Sequence, residues 1–148
     1  MSTTIVVGVD GSRAGAAALR WAAHEADLRG AELHMVHSWQ IDAAEAMGGY
    51  AIPWLAMEND ARANAQQWVE DVIGPLDQAD SPRKLSVVSG MPGPVLVETS
   101  RDAALLVVGT QVHKGLSRVF QGSVSHYCLT HSTTIVVAVP APAEDVGS

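Results

Sequence analysis

Two hydrophobic periods take turns along this chain. Short runs of consecutive apolar, mostly β-branched residues are separated by stretches in which apolar positions recur every three or four residues. Thr4-Ile5-Val6-Val7-Gly8-Val9 is the first run, and its unbroken apolar character suits a strand buried on both faces. From Ala14 to Arg29 the period changes. Leu19, Ala22, Ala23 and Ala26 form a helical stripe, with Arg20, His24 and Asp27 off it. Ser12 is placed to cap that helix and Gly30 to end it. Glu32 to Trp39 reads as the second strand. A long connection from Gln40 to Trp54 follows, then a helix from Met57 to Ile73 closed by Gly74-Pro75. Leu85 to Ser89 is a short strand, and Pro94 to Asp102 a short helix entered through Pro92-Gly93-Pro94. Leu105 to Gly109 is the fourth strand, Ser123 to His131 the last helix, and Thr134 to Val139 the fifth strand, stopped by Pro140.

Strict alternation of strands and helices predicts an α/β fold. The expected architecture is a single open five-stranded parallel sheet in the order 3-2-1-4-5, with helices on both faces in a Rossmann-like arrangement. The chain reads as one domain over 1–148, with a core from about 3 to 140 and a small polar tail, 141–148, expected to be disordered.

Composition narrows the function. A net charge of −7 argues against nucleic-acid and membrane-surface partners, since no dense Lys/Arg face can be assembled. One Phe and two Tyr favour tight helix–sheet packing over a large aromatic pocket. Cys128 stands alone, no apolar run nears the length of a membrane span, and Met1–Gly11 does not read as a signal peptide. A cytoplasmic location is expected.

The candidate chemistry lies at the strand ends. Ligands of open α/β sheets sit outside the strand C-termini, where strand order reverses. Here the loops after the first strand (Asp10-Gly11-Ser12) and the fourth (from Gly109) flank that crevice. The second loop enters a helix at Gly122-Ser123, and helix N-termini attract anions. No Asp or Glu occurs from Ala103 to Ala143, whereas Lys114 and Arg118 fall inside the loop. Two readings of each feature stand. Asp10 either accepts a hydrogen bond from a ligand or holds its own turn. The glycine loop is either a phosphate cradle or an ordinary loop with a serine cap. A Walker A loop is absent, and Gly8, Gly11 and Gly15 lack the dinucleotide spacing. His34 and His37 point to opposite strand faces, and His126 and His131 share no helix face, so no metal site is expected. Trp39, Tyr50, Trp54 and Met57 either lid a ligand or, as we favour, anchor the long connection.

Taken in order, these residues resemble a single-domain universal stress protein from Ile5 to Pro140. The resemblance rests on Val-Gly-Val-Asp-Gly-Ser (7–12), Leu-His-Met-Val-His-Ser-Trp (33–39), Gly90-x-Pro92, and Val-Val-Gly-Thr leading to Gly122-Ser123-Val124-Ser125. ATP-binding members of that family carry G-x2-G-x9-G-[ST] after the fourth strand. Gly109 matches the first position and Gly122-Ser123 the last pair, but Val112 occupies the place of the second glycine. A β-branched residue resists positive φ and puts methyl groups where backbone would meet phosphate. The resemblance implies that ATP or another adenine nucleotide, with magnesium as an optional companion, is bound as a regulatory ligand. The nucleotide-binding set it implies, together with Arg118 chosen for its charge and Gly115 as a substitute glycine, is Gly8, Val9, Asp10, Ser38, Val108, Gly109, Thr110, Val112, Gly115, Arg118, Gly122, Ser123, Val124 and Ser125. No catalytic residue is expected, and any hydrolysis should be slow. The resemblance also implies a homodimer through the C-terminal strand, Ile135 to Val139, where no charge interrupts the edge. Two alternatives remain. One is a dimeric protein-interaction module that has lost nucleotide binding, which Val112 supports. The other is an enzyme of the adenine-nucleotide hydrolase type, whose Ser-Gly-Gly-x-Asp-Ser loop is not matched by Asp10-Gly11-Ser12-Arg13.

Overall fold

A computed structural model describes residues 3–41, 53–110 and 123–142. The elements follow in the order β1 (Thr4–Gly8), α1 (Arg13–Arg29), β2 (Glu32–Trp39), α2 (Trp54–Ile73), a 3-10 turn (Leu76–Gln78), β3 (Arg83–Ser89), α3 (Pro92–Thr99), β4 (Leu105–Thr110), α4 (Ser123–His131) and β5 (Ile135–Pro140). All five strands pair in parallel, in the order β3-β2-β1-β4-β5. The expected sheet is therefore the observed one. Among the described residues, no helix is long and apolar enough to cross a membrane.

Residue parity along the strands sorts the core into two layers. Ile5, Val7, Leu33, Met35, Leu105 and Val107 pack beneath α1 and α2, while Val6, Val36, Leu106 and Val108 pack against α3 and α4. Both faces of β1 and β4 are thus covered, as consecutive apolar residues require. Helix α1 is an alanine-rich slab whose Ala14, Ala18, Ala22 and Ala26 are nearly solvent-free, so it lies close on the sheet. Ser12 caps it, accepting from the Gly15 amide at 2.9 Å. Gly30 ends it in the left-handed conformation, where a side chain would be strained.

Four boundaries differ from the sequence reading by two residues or more. Helix α2 begins at Trp54 rather than Met57, because Pro53 precedes the first turn and its carbonyl accepts from the Met57 amide at 3.0 Å. A proline at a helix start forfeits no intrahelical bond. For the same reason α3 begins at Pro92 instead of Pro94, with Val95 donating to Met91 at 3.1 Å. It ends at Thr99 rather than Asp102 because Ser100 leaves helical geometry. Strand β3 starts at Arg83, two residues before the expected Leu85, since Leu33 bonds across to Pro82 and extends the ladder.

Candidate functional site

Strand order reverses between β1 and β4, and a cleft opens there beneath α3 and α4. Its floor comes from Gly8, Val9 and Asp10 after β1, Val36 and Ser38 on β2, and Val108 and Gly109 on β4. Pro92 and Leu96 of α3 and Val124 of α4 form the roof, and Gly15 closes the side toward α1. The described walls enclose about 90 Å³.

Each wall has a local cause. Gly8 leaves room for the Leu96 side chain, whose Cδ1 would lie 2.9 Å from a β-carbon there. Gly109 faces the other layer, where an added β-carbon would meet the main chain of Ala14 and Gly15. Its lack of a side chain therefore lets the start of α1 rest on β4. Ser38 donates its hydroxyl hydrogen to the Gly90 carbonyl, and the Gly90 amide donates to Trp39 O at 2.9 Å. These bonds fasten the ends of β2 and β3 together.

Asp10 holds its own turn. Its Oδ1 accepts from the Ser12 amide at 3.0 Å and from the Ser12 hydroxyl at 2.6 Å, while Ser12 Oγ accepts in turn from Gly15. Of the two roles open to Asp10 in the sequence, the turn is the one these bonds give. The carboxylate still borders the cleft.

Seven of the expected residues meet in this one cleft: Gly8, Val9, Asp10, Ser38, Val108, Gly109 and Val124. Thr110 ends β4, Ser123 begins α4 exposed, and Ser125 is buried one turn into α4; none of the three lines the described cleft. Val112, Gly115, Arg118 and Gly122 lie outside the described residues. Sequence reasoning missed Gly15, Val36, Pro92 and Leu96 as walls. A signal existed for Gly15, since a glycine inside an alanine-rich helix weakens it without a packing reason.

His34 and His37 are held in hydrogen bonds of the fold. His34 Nε2 shares a hydrogen bond with Ser86 Oγ at 2.8 Å, and burial, reinforced by Lys84 and opposed by Glu32, lowers its pKa from the ordinary 6.5. His37 Nδ1 donates to Val9 O at 2.8 Å. Among the described residues no three His, Cys, Asp or Glu side chains group as metal ligands would. Trp39 and Trp54 meet edge to face with centroids 6.0 Å apart, tying the start of α2 to the end of β2. Tyr50 lies outside the described residues.

An open parallel α/β sheet with a crevice at its strand reversal defines a doubly wound protein of the Rossmann-like class. The chain matches the universal stress protein family over residues 1–140, and it belongs to that family. A universal stress protein of Mycobacterium tuberculosis is 37% identical over 130 residues, covering 82% of this chain and 42% of the relative. The chain spans about half the length of the relatives it matches. Solved structures share the fold, among them the following two. A universal stress protein in complex with cAMP superposes with TM-score 0.61 at 24% identity, covering 95% of this chain and 98% of its own. A family member from Arabidopsis thaliana with AMP bound gives 0.65 at 19%, covering 99% and 96%.

Proposed function

We propose that the chain binds ATP or a related adenine nucleotide in the β1–β4 cleft, as a regulatory ligand in a stress response. One observation carries this reading. Residues from four separate segments, each marked by a sequence motif, line a single crevice at the strand reversal. The cAMP- and AMP-bound relatives of the same fold support the ligand class. One end of the nucleotide would enter this cleft, and the rest would lie outside the described walls. Its base and ribose would lie against Val9, Asp10 and Ser38. Its phosphates would extend toward Gly109, Thr110 and the α4 start at Ser123 to Ser125, with Val112, Gly115, Arg118 and Gly122 completing the cradle. Magnesium, where present, would neutralise phosphate charge there. The polypeptide would act as a single cytoplasmic domain without turnover chemistry. It would pair as a homodimer through β5, an edge strand whose Ile135 is 68% exposed.

Thermal shift with ATP, ADP, AMP and cAMP tests the ligand. At a hundred times its dissociation constant a ligand adds about 2.7 kcal/mol, several degrees for a domain of this size. No shift with any of the four would reject the proposal. Val112 favours a second reading, a protein-interaction module that has lost nucleotide binding. Nucleotide binding that appears only in Val112→Gly would select it.

A further inference from the structure

A second cleft lies on the other side of the β1–α1 turn, between α1 and α2, and encloses about 180 Å³. Its apolar walls include Val9, Ala16, Leu19, Trp68 and Val72, Gly11, Ser12 and Gly15 of the turn line one side, and the exposed Asp71 stands at its rim. Val9 and Leu19 are 5% and 2% exposed, so the floor is part of the core. The Trp68 indole is fixed from two directions. It lies over Gly11, where a β-carbon would come 2.8 Å from Cε2, and the His37 ring meets it edge-on with centroids 5.2 Å apart. His37 is in turn held by Val9 O. An aromatic wall is therefore pre-positioned beside an aliphatic floor.

We infer that this cleft binds a small monocyclic aromatic amine. An apolar cavity of about 150 Å³ accepts a benzene ring, so the space suits one ring with a short side chain. Charge selects the rest. The described walls carry no Lys or Arg, and among the described residues Asp71 receives a hydrogen bond from Gln67 Nε2 to Oδ1 at 2.8 Å. A second carboxylate oxygen and the indole face both attract an ammonium group and repel a carboxylate. The site does not rest on the nucleotide proposal: the two clefts share Val9 and Gly15 as walls, but Trp68, Asp71 and Val72 line this one alone.

Titration of the full chain with 2-phenylethylamine, followed by tryptophan fluorescence and by amide chemical shifts, tests the inference. Saturable binding is expected, with shifts centred on Val9 to Leu19 and Trp68 to Val72. Ala16→Leu should fill the cleft and weaken binding by at least about tenfold, by overpacking the site. Should that variant fail to fold, Val72→Met obstructs the same wall and should do the same. Asp71→Asn should weaken the amine by about threefold and leave neutral 2-phenylethanol unaffected. The amine should bind equally with saturating ATP present. Absence of saturable binding, full affinity in both filling variants, displacement by ATP, or equal affinity for 3-phenylpropionate would each overturn the inference.

Discussion

The α-carbon of Gly109 rests on the main chain of Ala14: a β-carbon there would lie 2.5 Å from both the carbonyl carbon and the carbonyl oxygen of Ala14. Neither atom can swing aside by a rotamer change. The first glycine of the strand-four motif is thus demanded by the seating of α1, before any ligand is considered. Gly109→Ala is expected to cost about 2 kcal/mol or more, the upper range for overpacking. A lowered urea midpoint with an unchanged slope would register it. A midpoint equal to the parent's would show that the helix can shift freely.

Gly11 and Gly30 separate two penalties. Both have positive φ, +77° and +64°, but only Gly11 has a neighbour, the Trp68 ring. Gly30→Ala should cost about 1 kcal/mol, the left-handed penalty alone. Gly11→Ala should cost clearly more and shift the Trp68 fluorescence. Equal losses in paired denaturation curves would mean the ring yields without resistance.

His34 should make the fold acid-sensitive. Its folded pKa is lowered, first by burial, so as pH falls through 6.5 the unfolded chain takes the proton first. Stability is then lost progressively from about pH 6.5 down to the folded pKa, and is fully present above 6.5. His34→Gln, which can keep a bond to Ser86, should flatten that part of the stability-versus-pH curve. An unchanged slope between roughly pH 7 and pH 5 would place the sensitivity elsewhere.

Cys128 should be inert in the native state. It is fully buried, and desolvation pushes its thiol up to about 11. Thiolate is the reactive form, so iodoacetamide at neutral pH should label it only after unfolding. Rapid labelling of native protein would show that the α3–α4 layer opens locally.

The ends of β1 and β3 were legible because the chain writes them twice, once as apolar runs and again as Asp10-Gly11 and Gly90 just beyond them. Glu32–Trp39 and Ser123–His131 fall at the expected residues. The starts of α2 and α3 were not legible, since Pro53 and Pro92 look like loop residues until the carbonyls around them are seen accepting helical bonds. In the cleft, Asp10 and Gly109 follow from topology, being at the C-terminal ends of neighbouring strands, whereas Gly8, Val9, Ser38 and Val108 follow from the family resemblance. Leu96 and Pro92 could not be read, because their place depends on how far α3 sinks over Gly8. Asp10 was ambiguous in sequence, for the same carboxylate can serve a turn or a ligand.

The bonds that hold Asp10, Ser12 and Gly15 each span no more than three residues. Such a turn closes on local information, with little loop entropy to overcome and no need of a distant partner. A molecule entering either cleft would therefore meet a rim already in its bound shape. The ordering entropy of this segment is charged to folding, and recognition here is expected to be fast and nearly rigid-body, with little of the affinity lost to ordering the rim.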